Sequence, residues 1–373
     1  MNTSSYSNIV KHWLSRRSLA SWGLGLLMTA SCGMALAGSQ PKPAYDYYPT
    51  GDVGDVSAVV ALPSRPTASS VVLMGGGPDV DDAFKWMIQK SGGGHFVVIR
   101  ASGADGYNSY IYDMGGVTSV ETLVIKNTDA ANDDNFVLPT VSRANAVFIA
   151  GGDQSDYIKL WKNTKLATLL QTMMQSNVPM GGTSAGLAVL GEFDFAALNG
   201  TVTSAKALAD PYNRYMTIDT GFLTAPGLAA TIADAHLDTR DRMGRLLAFV
   251  ARMIKPSIVG GIQMGCDGGT LAFDAARGIG VDVETALLVE GSAGSTKNQR
   301  FTATRVGVGS VYFLSPSQSP VVCAAKQPLT FRNVMVTRLS GSGSFNLSSW
   351  TGSGLATYNI SAEVGVLVPT NPY

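Results

Sequence analysis

Val178-Pro-Met-Gly-Gly-Thr-Ser-Ala-Gly-Leu-Ala-Val-Leu-Gly-Glu192 is the stretch from which the rest of the chain can be read. A short apolar run breaks at Gly181-Gly182 and presents Ser184 inside Gly182-Thr-Ser-Ala-Gly186. The apolar segment Leu187-Ala-Val-Leu190 follows at once. The order is strand, sharp turn, helix, with a serine at the apex, and it fits the G-x-S-x-G nucleophile-elbow pattern. Small flanking residues tolerate a strained backbone there, and the following helix aims free N–H groups at the turn, where an oxyanion could rest. A Gly/Ser-rich βα turn without chemistry has the same five-residue form, so the surrounding chain must decide.

Upstream, five apolar segments recur at intervals suited to alternating strands and helices: Ser70–Met74, His95–Arg100, Val120–Lys126, Ala146–Ala150 and Val178–Met180. The first ends at Gly75-Gly-Gly-Pro78, after which Asp79–Asp82 opens a helical Ala83–Gln89, acids in a first turn complementing the helix dipole. Tyr157–Gln175 carries Leu160, Trp161, Leu166, Leu169, Leu170, Met173 and Met174 at helical spacing. Continuous apolar strands joined by such helices indicate a mostly parallel sheet flanked by helices. Ligands in such folds collect at the carboxyl ends of strands, where Gly75–Gly77, Gly151–Gln154 and Ser184 fall. The pair Gly151-Gly152 lets backbone N–H groups approach a substrate, while a plain βα turn with Asp153 as N-cap is the alternative.

The serine needs a base, and the chain has three histidines. His12 lies in the first segment and His95 opens a strand, which leaves His236. Phe193–Ser204 reads as a hairpin turned at Asn199-Gly200. After His236, helical spacing would set Asp238 against Arg242 and Asp241 against Arg245 as surface pairs. Arg240 has no such acid. It would stand on the face of His236, where its guanidinium could fork onto a substrate carboxylate. Beyond Met253, Leu271–Asp274, Ile279–Val283, Ala286–Glu290, Ser310–Leu314 and Val334–Leu339 read as short strands.

The 373 residues carry 27 basic and 27 acidic side chains, so nothing points to nucleic acid as a partner. No acid precedes Asp46; Lys11, Arg16 and Arg17 precede the apolar run Leu19–Ala30, and Ala35-Leu-Ala37 has the spacing of a signal-peptidase site. The run is too short for a transmembrane helix, so no stable membrane insertion is expected. The reading is an export signal over 1–37, an extended lead-in over 38–69, an α/β domain over 70–290 and a β-rich extension over 291–373. Ser15-Arg-Arg-Ser-Leu19 resembles a twin-arginine signal, which points to periplasmic or secreted protein exported folded. Lipid anchoring at Cys32 ranks second, because Thr29 stands where a larger aliphatic residue is usual. Removing three basic residues leaves 24 against 27 acidic, net −3. Cys266 and Cys323 then remain; a disulfide between them is permitted, and two buried thiols are the alternative.

Taken together, Phe148-Ile-Ala-Gly-Gly-Asp-Gln154, Gly182–Gly186, Asp234-Ala-His236 followed by Arg-x-Arg-x-x-Arg, and Gly278-Ile-Gly-Val-Asp282 with Thr285-Ala286 resemble cyanophycinase and its relative peptidase E. The matches keep the family's order across Val71–Glu290. The resemblance implies a class I glutamine-amidotransferase-like α/β fold and serine peptidase chemistry without metal or cofactor. Ser184 would be the nucleophile and His236 the base. Gly152 and Ala185 would supply oxyanion N–H groups. Gln154, Asp234, Arg240, Arg242 and Arg245 match substrate-binding positions. The triad acid lies nearer the histidine in relatives, which favours Asp210 over Asp194 or Glu192. Two departures stand out: Ala235 replaces a glutamine, and Asp282-Val283 replaces Asp-Glu. The implied partner is a peptide or a cyanophycin-like polymer, cut to β-Asp-Arg dipeptides, with a homodimer as an open assembly. An exopeptidase for other aspartyl or isoaspartyl peptides, and a non-catalytic secreted binding protein, are the alternatives.

Overall fold

The computed structural model describes residues 43–55, 66–293 and 300–373. The expected export signal, with its twin arginines and Cys32, lies outside the described residues, as do 38–42 and 56–65 of the lead-in. The five apolar runs form the strands Ser70–Met74, His95–Arg100, Ser119–Ile125, Ala146–Ile149 and Met180–Thr183. All are buried along their length except for the two ends of His95–Arg100. They pair in parallel in the spatial order 119–125, 95–100, 146–149, 180–183, 70–74. Burial of both faces is the reason each reads as an uninterrupted apolar run.

Antiparallel strands extend this set to ten. Tyr45–Gly51 pairs with Ser119–Ile125, so the lead-in contributes an edge strand. On the other side Thr285–Gly291 pairs with Ser70–Met74, followed by Phe301–Gly307, Ser344–Asn346 and Thr351–Gly352. A second sheet of eight strands runs Val366–Val368, Ala356–Glu363, Phe331–Leu339, Val311–Pro316, Arg277–Val281, Thr231–Asp234, Phe193–Phe195, Ile218–Thr220. Its parallel pairs are Arg277–Val281 with Thr231–Asp234 and Thr231–Asp234 with Phe193–Phe195. Residues beyond 291 are therefore hydrogen-bonded into both sheets and are not a layer placed on a finished domain.

Several local expectations change. The helical run 157–175 is two helices, Gln154–Trp161 and Lys165–Gln175, separated where Asn163 takes φ +62° and Thr164 caps the second through its side chain. Phe193–Phe195 pairs with Ile218–Thr220, so 193–204 is not a hairpin; Gly200, at φ +96°, closes a tight turn onto the Ala197 carbonyl. Leu271 makes only a single bridge, to Ile254, in place of the expected strand. The helix Met243–Met253 is buried at every position except Arg252 and fills the core beside Thr231–Asp234 and Arg277–Val281. Just beyond its end, Cys266 is bonded to Cys323, with Cα atoms 5.1 Å apart.

Candidate active site

Met180–Thr183 leads straight into Ser184, and the short helix Ala185–Ala188 departs from it. Ser184 has φ +53° and ψ −111°, a conformation that costs a non-glycine residue on the order of 1–3 kcal/mol and persists only where its surroundings enforce it. The two glycines of the motif provide room. A Cβ on Gly182 would fall 2.4 Å from the Gly186 carbonyl carbon, and one on Gly186 would fall 2.0 Å from the Ile149 oxygen. The corner thus packs directly on the neighbouring strand Ala146–Ile149, with the strain concentrated at the serine.

His236 follows the strand Thr231–Asp234 of the other sheet and also has positive φ, +51°. The end of Ser70–Met74 joins the two. Met74 O accepts the Ser184 N–H at 3.0 Å, and Gly75 O accepts the His236 N–H at 2.8 Å. The imidazole rests on Gly76, where a Cβ would lie 2.4 Å from Cε1 and 2.5 Å from Nε2. The result is a hydrogen bond of 2.8 Å between Ser184 Oγ and His236 Nε2. The sequence had grouped Gly75–Gly77 only as residues at a strand end; their service to the histidine was not read. Three successive glycines directly after a continuous apolar strand are the signal that could have suggested it.

Asp210 is not brought to this pair. Its Oδ1 accepts the N–H groups of Tyr212 and Lys326, and it lies near Arg252, at the opposite end of Met243–Met253 from His236. It terminates the helix Ser204–Ala209 and is occupied by loop backbone. The other two candidates are also placed elsewhere. Glu192 accepts the Ala230 N–H at 2.6 Å. Asp194 is fully buried with neither oxygen hydrogen-bonded, and burial, with Asp219 second, pushes its carboxyl well above the usual range. Asp282 accepts the Ser310 N–H at 2.9 Å. Among the described residues no carboxylate hydrogen-bonds His236.

Ser184 lines a cavity of about 260 Å³ with Gly152, Gln154, Ala185, Ala235 and the three arginines. Gln154 begins its helix and donates to the Phe195 carbonyl at 3.2 Å, while Asp153 caps that helix through the Ser155 N–H. The expected pairs Asp238–Arg242 and Asp241–Arg245 are absent, because 237–241 is a turn in which Asp241 takes φ +46° and the helix starts only at Met243. Asp238 instead accepts the Val283 N–H. Arg245, 2 % exposed, forks onto Asp234 through Nε and Nη2 at 2.7 and 2.6 Å. Arg242 donates to the Ala235 carbonyl at 2.7 Å and stands 3.7 Å from Asp234. Arg240 is exposed and, among the described residues, has no ion-pair partner. Burial, then Arg240 and Arg242, lower the His236 pKa to about 4, against a weaker opposing effect of Asp234. The imidazole is neutral at pH 7 and able to accept a proton.

Comparison with known proteins relates part of this chain to a family. The model of peptidase family S51 matches residues 71–202. A cyanophycinase of Trichormus variabilis is 26% identical over 243 residues, 64% of this chain and 68% of the relative. One of Synechococcus elongatus is 25% identical over 246 residues, 65% of this chain and 64% of the relative. One of Geminocystis herdmanii is 30% identical over 145 residues, 39% and 49% of the respective chains. Among solved structures, a peptidase from an acI-B1 Actinobacterium aligns with a TM-score of 0.47 and 16% identity, covering 68% of this chain and 98% of that one. The family model and the sequence relatives support a cyanophycinase and peptidase S51 family assignment.

Proposed function

We propose that the chain is a serine peptidase of the class I glutamine-amidotransferase-like fold, with Ser184 at a nucleophile elbow, that hydrolyses bonds next to aspartyl residues. The observation that carries this reading is the 2.8 Å contact between Ser184 and His236 at a cavity lined by arginines. His236 takes the hydroxyl proton as Ser184 Oγ attacks the substrate carbonyl, and returns it to the leaving amine. Backbone N–H groups of Gly152 and Ala185 receive the oxyanion, each donor contributing about 3 kcal/mol. Gly76 orients the imidazole, to which no acid is hydrogen-bonded among the described residues.

Charge supports the substrate class. Three guanidinium groups line the cavity; Arg245 forks onto Asp234 and Arg242 stands 3.7 Å from the same carboxylate, so Arg240, without an ion-pair partner among the described residues, is the first to meet a substrate carboxylate, with Arg242 beside it. A bound carboxylate also offsets the arginine field that disfavours the imidazolium, so recognition and proton transfer reinforce one another. A cyanophycin-like polymer is the first substrate to test. One observation favours the narrower reading, an exopeptidase for small aspartyl or isoaspartyl peptides. Asp234, a carboxylate suited by charge to a substrate guanidinium, is already occupied by Arg245. Export through the N-terminal segment belongs to the same proposal and is supported by the Cys266–Cys323 bridge, which an oxidising compartment permits.

Incubation with cyanophycin and with β-aspartyl dipeptides, with products identified by mass, tests this reading. Soluble β-Asp-Arg supports the polymer, and cleavage of dipeptides alone supports the exopeptidase. Retention of full activity by Ser184→Ala would remove serine chemistry altogether. Absence of both cleavage and labelling by a serine-directed phosphonate would leave a binding protein with this fold.

A further inference from the structure

The helix Met243–Met253 begins in an unusual way. Its N-cap residue is Arg242, which offers no side-chain acceptor and brings positive charge to the positive end of the helix dipole. The first N–H groups of a buried helix need partners from elsewhere. Tyr373 provides one from 130 positions along the chain: its hydroxyl accepts the Met243 N–H at 3.1 Å and donates to Asp241 Oδ1 at 3.0 Å. The phenol ring sits edge-on to Tyr312, and the Tyr358 hydroxyl donates to the Pro372 carbonyl, so the ring is tied to the eight-stranded sheet. The other side of the corner is held too. The Asp241 carbonyl accepts the Ser204 hydroxyl, whose oxygen in turn accepts the Arg245 N–H.

We propose that Tyr373 is a positioning residue for the carboxylate subsite, holding the corner Asp241–Met243 and thereby the guanidinium groups of Arg240 and Arg242 beside Ser184. The inference rests on the reading of those arginines as that subsite. Its logic is a division of labour. An acceptor residue at position 242 would cap the helix better, but a guanidinium there reaches the Ala235 carbonyl and the cavity. Tyr373 and Asp241 then do the capping that Arg242 cannot. Asp241, at φ +46°, is a corner that needs such support, and Arg240 directly precedes it.

The test compares binding of N-acetylaspartate and of its side-chain amide, N-acetylasparagine, by calorimetry to the wild type, Tyr373→Phe and Arg240→Ala. Tyr373→Phe keeps the ring packed on Tyr312 and removes only the hydroxyl. The expected result is a fall of about tenfold in the preference for acid over amide, the scale of one lost hydrogen bond. A merely structural loosening weakens both ligands alike and leaves that preference intact, which overturns the proposal. If Arg240→Ala lowers the preference and Tyr373→Phe does not, the clamp alone fails. If neither does, the carboxylate subsite fails and the clamp with it. Should Tyr373→Phe not fold, Asp241→Asn carries the same comparison, because it weakens the acceptor of the same hydroxyl.

Discussion

Gly76 shows how much of this site depends on an atom that is missing. A Cβ there would overlap the imidazole at 2.4 Å, and the backbone stands at φ +86°. Gly76→Ala should therefore swing His236 away from Ser184 and lower kcat/KM by at least about 100-fold, the usual scale of a displaced general base. The circular dichroism spectrum should remain that of the folded protein; activity within a few-fold of wild type would show that the ring does not depend on this contact. The histidine itself predicts a second measurement. Burial and the neighbouring arginines hold its pKa at about 4, so it is a competent base at all pH values above that and loses the function only as protonation sets in below. The ascending limb of kcat/KM should then have its midpoint near pH 4 to 5, with a flat profile to pH 8. A midpoint near 6.5, the ordinary histidine value, would show that the field described here is not felt by the free enzyme. The contact between Ser184 and His236 was legible because a serine in a tight glycine turn and a lone suitable histidine demand one another. The acid was not, because Asp210 was chosen by sequence distance, and sequence distance does not register that its oxygen is occupied by Tyr212 and Lys326.

At the scale of elements, the parallel strands were legible to within about two residues for most of their ends, since strands buried on both faces are continuous apolar runs. Tyr45–Gly51 was hidden by its Pro, Tyr and Gly content, which resembles a loop until an edge partner is available. The arginine segment misled in a more instructive way. Helical spacing joins Asp238 to Arg242 and Asp241 to Arg245, but the positive φ of Asp241 breaks the spacing before the helix starts. The guanidinium of Arg245 turns inward, and strand and helix are fastened through Asp234 and Arg245. Removing one member of a buried pair leaves the other charged and unpaired, a loss of about 3–5 kcal/mol. Arg245→Met should lower unfolding free energy by that amount in a urea titration, and Asp234→Asn in the same background should return part of it. A loss under about 1 kcal/mol would mean that Asp234 finds another partner, Arg242 at 3.7 Å being the nearest.

The molecule as a whole places Ser184 on one sheet and His236 on another, with the end of Ser70–Met74 hydrogen-bonded to both. That arrangement makes the relative setting of the sheets the quantity on which the proposed catalysis depends, and the strands beyond residue 291, bonded into both sheets, help to fix it. The disulfide acts at a distance from this setting. Cys266 donates its N–H to the Ile254 carbonyl at the end of Met243–Met253, and an 11-residue helix separates that end from Arg242 by about 16 Å. Cys266 and Cys323 are 57 positions apart, and closing a loop of that length removes chain entropy from the unfolded state worth about 4 kcal/mol. Cys266→Ser with Cys323→Ser should therefore lower unfolding free energy by about that much, and kcat/KM at 25 °C should change by less than about twofold. Equal loss of activity and stability would instead tie the bridge to the setting of the sheets. The same pair tests where the protein resides. Thiol alkylation followed by mass measurement on protein taken directly from cells should find both cysteines bridged and a start near Gly38. Alkylation of both Cys266 and Cys323, three modified thiols once Cys32 is counted, on a chain that still carries residues 1–37 would place the protein in a reducing compartment and end the proposal of export.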